Sequence, residues 1–221
     1  MQAIHLSSDC RAVPMMREGV LVLVAVMLFA ACGQEHTAEV APEVAAHSDP
    51  AVVLNAFVDS WCAENEYEPP VAFLFYAATS SQVQSEEKWE KSQIHLRKEL
   101  EGLRSDTLDS FARANAASLE LHEILQSRHT LHFIKPDEKE ALRSTRNSHE
   151  WDGGHRKLMR KYPGVRETRS LSAPGVSSDG LQALVYATWF MGARVAEGNY
   201  YLLAWEDGQW RVVDRALAWI S

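Results

Sequence analysis

Asp207-Gly208 stands between two segments of alternating polarity, Asn199 to Glu206 and Gln209 to Val213. A two-residue type I′ turn requires positive φ at both central positions, which Gly adopts freely and Asp tolerates. The dipeptide therefore predicts a hairpin in which Trp205 faces Trp210, Leu203 faces Val212 and Leu202 faces Val213. The Trp pair adds about 0.2–1 kcal/mol over an Ala pair. A slip of one residue would send every side chain to the opposite face, so the buried side holds the register. Leu181 to Thr188 alternates in the same way, and Arg215 to Ile220 is expected to form a last strand.

Upstream the hydrophobic period is helical. Asp49-Pro50 predicts a helix start, with Asp as N-cap and Pro in the first turn. Val53, Phe57 and Trp61 follow on one stripe, with Val52 and Ala56 beside them. Pro69-Pro70 interrupts the chain, and Val71 to Ala78 is an apolar run that favours a buried strand. Ser85 to Arg104 predicts a charged helix with Trp89, Ile94, Leu96, Leu100 and Leu103 on its apolar face and a solvated Glu/Lys face. Ser105-Asp106 is expected to cap another helix, whose spacing runs from Leu108, Phe111 and Ala112 through Asn115 to Leu119 and Ile124. A short strand over His129 to Ile134, a brief helix from Pro136-Asp137-Glu138 and a helix from Trp151 to Tyr162 complete the reading. Helices first and an antiparallel sheet last define an α+β class.

The N-terminal segment reads as an address. Gly19 to Ala31 is apolar, Arg17 precedes it, and Ala30-Ala31 leads into Cys32. A charged start, a short apolar core and small residues at the cut make a secretory signal peptide. The run falls short of the roughly 20 residues that cross a bilayer. Phe29-Ala30-Ala31-Cys32 resembles the lipobox of bacterial lipoproteins, in which the cysteine takes a lipid and becomes the mature N-terminus. It departs from that pattern in having Phe29 where Leu is usual. The expected organisation is a signal peptide over residues 1–31, with Met15 or Met16 as the true start. A lipidated tether follows over 32–48, and a single α+β domain over 49–221. The tether's few large apolar side chains make it a flexible coil of roughly 20–25 Å. A bacterial envelope location follows. Gly33 after the cysteine points to the outer membrane facing the periplasm, because Asp at that place retains lipoproteins in the inner membrane of enteric bacteria.

Composition narrows the function. The 221 residues less the first 31 leave 190, enough for one domain with a sizeable core. Arg11 and Arg17 balance Asp9 and Glu18 in the removed part, so the mature net charge stays at −8. An acidic chain with no basic stripe argues against nucleic acid as a partner. If Cys32 carries a lipid, Cys62 has no partner for a disulfide and reads as a small buried hydrophobe.

Tyr162-Pro163-Gly164, Leu171-Ser172, Gly175, Ala183-Leu184-Val185-Tyr186, Gly192, Gly198, Tyr200-Tyr201-Leu202-Leu203, Asp207-Gly208-Gln209-Trp210 and Trp219-Ile220-Ser221 form an ordered pattern. Together with Phe111, Asn115 and Trp151, it resembles an uncharacterised bacterial protein family over residues 106–221. Members of that family carry several glycines, often with cysteines, between the A-L-V-Y and Y-x-x-L-L segments. Ala187 to Gly198 is bulkier here and has no cysteine. The resemblance implies no activity. The terminal hairpin also resembles those of NTF2-like cone-shaped domains, an analogy of fold alone.

Chemistry-bearing clusters are few. His122 and His129 stand seven residues apart, roughly 10.5 Å along a helix, a poor fit to zinc bonds of about 2.0–2.1 Å, so no metal site is assigned. His149, Glu150, Asp152 and His155 form the densest polar cluster and offer a general base with an orienting carboxylate, set against a plain helix start. Ser170-Leu171-Ser172 fits a strand or turn better than a triad, and nucleotide and nucleophile motifs are missing. Tyr186, Trp189, Tyr200, Tyr201, Trp205 and Trp210 fit a packed core first and an apolar pocket second. The expectation is a non-catalytic binding or interaction module without a cofactor, held to the membrane by the lipid on Cys32. Its partner would be an envelope protein or an apolar ligand. The alternatives are an envelope hydrolase built on the His149–His155 cluster and a purely structural protein.

Overall fold

The structure is a computed structural model that describes residues 46–64, 72–79, 86–135, 137–138, 156–191 and 195–221. Helix α1 spans Pro50–Glu64. Asp49 Oδ1 accepts from the Ala51 amide at 2.7 Å, the N-cap bond its side chain predicted. The buried face of α1 carries Val53, Leu54, Phe57, Val58, Trp61 and Cys62. Val52, expected beside the stripe, is 40 % exposed, because the stripe widens toward Leu54 and Val58. Strand β1 is Phe73–Tyr76, inside the expected apolar run. Helix α2 spans Glu86–Glu99 and buries Trp89 and Leu96, with Leu100 just beyond its end. Ile94, expected on the same face, is 71 % exposed. It lies two residues before Leu96, about 200° around a helix of 3.6 residues per turn.

Helix α3 covers Ser105–Ala114, and α4 is a separate turn over Leu121–Ile124. The single long helix expected from Ser105 to Ile124 breaks at Asn115. There the side chain turns to tertiary work: Asn115 Oδ1 accepts from the Ala173 amide and Nδ2 donates to the Ala173 carbonyl, both at 3.0 Å. Arg104, not Ser105, occupies the N-cap position. Asp106 instead accepts from the Ser178 amide and hydroxyl, pinning the start of α3 to a distant turn. The remaining strands are β2 (Leu131–Ile134), β3 (Thr168–Leu171), β4 (Gly175–Val176), β5 (Gln182–Phe190), β6 (Ala196–Glu206) and β7 (Gln209–Ile220). Asp137 and Glu138 are helical, as are residues 156–161.

The fold is α+β. The strands form one seven-stranded sheet in the order β2-β1-β3-β5-β6-β7, with β4 also paired to β5. From β3 to β7 every pairing is antiparallel, as the alternation predicted. The N-terminal strand adds the parallel pairings, β1 with both β2 and β3. The turn has φ of 52° at Asp207 and 76° at Gly208. Trp205 pairs with Trp210 and Leu203 with Val212, but Leu202 pairs with Asp214 rather than Val213, because a bulge lies between Leu202 and Leu203. The last expected strand, Arg215 to Ile220, is the continuation of β7 past that bulge.

Alternation along β5 and β6 supplies two faces. Ala183, Val185, Ala187, Tyr201 and Leu203 pack against α1 and α4. Leu184, Tyr186, Tyr200 and Leu202 pack against α2 and α3. Leu74 and Ile134 meet Leu158 and Val165 in a smaller cluster. Cys62 is buried. Next to it lies Arg169 of β3, 1 % exposed, with its guanidinium 4.2 Å from the Trp61 ring and 4.3 Å from the Phe73 ring. Its Nε donates to Glu167 at 2.5 Å, and Nη1 reaches the Cys62 sulfur at 3.6 Å. A buried charge of this kind needs both a counter-ion and polarisable neighbours.

Candidate ligand-binding cleft

Helix α2 crosses one face of the sheet at its C-terminal strands and leaves a cleft of about 340 Å³. That volume lies in the roughly 300–1,000 Å³ range of small-molecule sites. Lys88, Lys91, Ser92 and His95 line one wall; Tyr186, Tyr200, Ala218 and Trp219 line the other. The four α2 residues share one face because their spacing is i, i+3, i+4 and i+7.

The sheet wall is fixed by close packing around a glycine. Trp219 Nε1 donates to the Tyr186 hydroxyl at 2.6 Å. Gly198 lies beneath this pair, and a Cβ there would overlap both the hydroxyl and the indole. The rings of Tyr186 and Tyr200 lie 4.8 Å apart, and Tyr200 contacts Phe111 at 5.9 Å. His95 Nε2 donates to the Leu217 carbonyl at 3.0 Å, tying α2 to β7. Ser92 donates to the Lys88 carbonyl at 3.0 Å.

Both phenols are held neutral. Burial pushes Tyr200 up to about 12, with Tyr186 adding to the rise and a hydrogen bond with Ser92 opposing it. Burial also raises Tyr186, against the bond from Trp219. Tyr186 accepts from Trp219 and so keeps its own proton for donation. The walls therefore combine two ammonium groups, hydroxyl donors and an aromatic surface.

The expected aromatic set divides between the two faces. Tyr201 and Trp210 belong to the α1 core, with Trp189 and Trp205 packed against it. Tyr186 and Tyr200 belong to the cleft, joined by Trp219. The lysine-bearing side of α2, expected to be solvated, supplies the other wall. Its signal lay in Lys88, Lys91 and His95 spaced along one helical face, but sequence does not show what that face meets. Ser170 pairs its hydroxyl with Thr188 at 2.6 Å, and Ser172 accepts from the Tyr186 amide at 2.8 Å, so both bridge strands. His122 stands beside Glu120 and His129 is edge-on to Phe73. Among the described residues no group of three metal-capable side chains converges. Cys32, His149, Glu150, Asp152 and His155 lie outside the described residues.

The pattern that carried the family resemblance separates into two roles. Phe111, Asn115 and Gly175 join α3 to β4; a Cβ on Gly175 would overlap the Phe111 backbone. Tyr186, Gly198, Tyr200 and Trp219 build the cleft. Comparisons of the chain with protein families, curated proteins and solved structures found no match.

Proposed function

We propose that the protein is a lipid-anchored binding module of the bacterial envelope and that the cleft between α2 and the sheet is its binding surface. The observation that carries this reading is the convergence of Tyr186, Tyr200, Trp219, Lys88 and Lys91 around one open cavity. An aromatic wall beside a few directed polar groups suits a small ligand or a protruding side chain of a partner. The neutral phenols favour binding by donated hydrogen bonds over nucleophilic or base chemistry. The anchor is the lipid on Cys32, which places the domain in the periplasm on the outer membrane.

The test is affinity purification of the full chain from native membranes, followed by mass spectrometry of bound proteins and small molecules. Wild type is compared with Trp219→Ala and with Cys32→Ala. The reading expects a companion that Trp219→Ala loses and a chain that Cys32→Ala releases from the membrane. Recovery of the same companions by Trp219→Ala would remove the cleft from the function. Continued membrane attachment of Cys32→Ala would remove the lipid anchor.

A further inference from the structure

We infer that the cleft binds a sugar ring, stacking one face of a pyranose on Trp219 and hydrogen-bonding the hydroxyls at its edge. This names a ligand class for the binding module and rests on that reading. The indole supplies a platform. Its side chain starts from β7, crosses β6 at its pairing partner Gly198, and donates to the Tyr186 hydroxyl of β5 at 2.6 Å. A Cβ on Gly198 would sit 2.5 Å from Trp219 Nε1 and 2.8 Å from Cε2, so a glycine is what lets the ring lie this low over the sheet. One side of the indole is thus turned to backbone and the other to the opening, where Trp219 lines the cleft and stays 36 % exposed. The Tyr186 bond and Phe190, 6.0 Å away between ring centroids, hold the indole in place.

The other wall selects among flat ligands. A ring lying on the indole turns its edge to the α2 residues that line the cleft. An aromatic or aliphatic hydrocarbon ring brings only C–H bonds there and leaves the polar groups of α2 unmatched. A cation would suit an indole and two phenols, but the Lys91 ammonium lines the same space. A pyranose carries C–H bonds on its faces and hydroxyls around its edge. Those C–H bonds, polarised by neighbouring oxygens, meet the electron-rich face of the indole.

Sugar hydroxyls both donate and accept, and the cleft offers both kinds of partner. His95 Nε2 donates to the Leu217 carbonyl, so the neutral ring keeps Nδ1 as an acceptor. Lys91 meets Glu87 at 2.7 Å in an exposed i,i+4 pair, which is weak in water, so its ammonium can also donate to a hydroxyl. Tyr186 accepts from Trp219 and keeps its own proton for donation. Ser92 is taken up by the Lys88 carbonyl and by Tyr200, and Lys88 has a partner within the protein, so neither has a part in the recognition.

The test titrates the full chain, in a detergent without a sugar headgroup, with methyl β-D-glucopyranoside, cellotetraose and benzamide. The first two share one ring, single or in a chain; the third is a flat ring without hydroxyls. Saturation-transfer NMR reads which ligand protons meet the protein, and its concentration dependence gives the affinity. Both sugars should bind, with most saturation on the axial C–H protons, and benzamide should bind about tenfold more weakly. Trp219→Ala should weaken the glucoside about tenfold, the share of one stacked ring. Gly198→Ala, which keeps the indole but displaces it or Tyr186, should do the same with the far-ultraviolet spectrum unchanged. Lys91→Gln/His95→Phe should weaken the sugars and spare benzamide. Cellotetraose at least tenfold tighter than the glucoside assigns a glycan chain as the source, and equal affinity assigns a free sugar. No saturation of either sugar would overturn the ligand class; a companion still lost by Trp219→Ala in the membrane purification would then leave the binding module standing. Full glucoside affinity in both Trp219→Ala and Gly198→Ala would overturn the stacking.

Discussion

Replacing Glu167 with Gln should destabilise the protein more than replacing its partner Arg169 with Met. Arg169 is 1 % exposed at the side chain, whereas Glu167 keeps 20 %. Gln retains an oxygen to accept from Arg169 Nε, so the substitution removes the charge and little else. Two unit charges about 4 Å apart attract by about 4 kcal/mol at an effective dielectric constant of 20. Partial hydration of Glu167 lowers this, and the guanidinium left in the core has no anion; a loss of about 2–4 kcal/mol follows. Arg169→Met removes the buried charge as well. It forfeits the contacts with Trp61 and Phe73, about 0.5–2 kcal/mol each, but Met fills the slot and packs against rings. Glu167 can then hydrate through its exposed edge. The expected loss is about 1–2 kcal/mol, and the double variant should resemble Arg169→Met, with a coupling of about 2 kcal/mol. Urea unfolding at pH 7, followed by far-ultraviolet circular dichroism, reads these values. With a slope of about 2 kcal/mol per molar, Glu167→Gln lowers the midpoint by about 1–2 M. A midpoint shift below about 0.25 M, or a larger loss in Arg169→Met, would refute the reasoning.

Four further outcomes are expected. Gly175→Ala places a Cβ on the Phe111 backbone, which cannot yield as a side chain would, so chemical denaturation should show a loss of about 1–3 kcal/mol or more. Gly198→Ala displaces Trp219 or Tyr186 and should change indole fluorescence and cleft binding while the far-ultraviolet spectrum is kept; an unaltered emission maximum would count against the packing described. Tyr200 has its ordinary value of 10.0 raised to about 12, so its contribution is full below pH 10 and is lost as pH rises from 10 to 12. That loss is about 2–3 kcal/mol, and Tyr200→Phe should flatten the alkaline limb of a pH–stability curve. Asp179 is held at about 2 instead of 3.8, chiefly by its bond from Arg104, so its contribution is present above pH 3.8 and lost as pH falls toward 2. Asp179→Asn should flatten that acid limb; an unchanged acid midpoint would show the Arg104 pair to be idle.

Local chemistry made part of this protein legible from its residues alone. The Asp49 cap, the strands from Gln182 onward and the Asp207-Gly208 turn depend on φ, ψ and neighbours within a few positions. The pairs on the turn side of the bulge, among them Trp205 with Trp210 and Leu203 with Val212, follow from turn geometry. Beyond them a bulge changes the register, and no nearby residue announces it. Long-range packing decided the rest. Whether Val52 or Leu54, Ile94 or Leu96 is buried depends on what each helix meets. Asn115 ends α3 because a backbone 58 positions away takes both ends of its amide. Arg169 is buried because Trp61, Phe73 and Glu167, from three separate places in the chain, enclose it. The cleft joins residues 88–95 to residues 186–219, and their meeting depends on how α2 lies across the sheet. A hairpin is a local event with a small loop to close, whereas the cleft is a sum of contacts between distant segments, each conditional on the others.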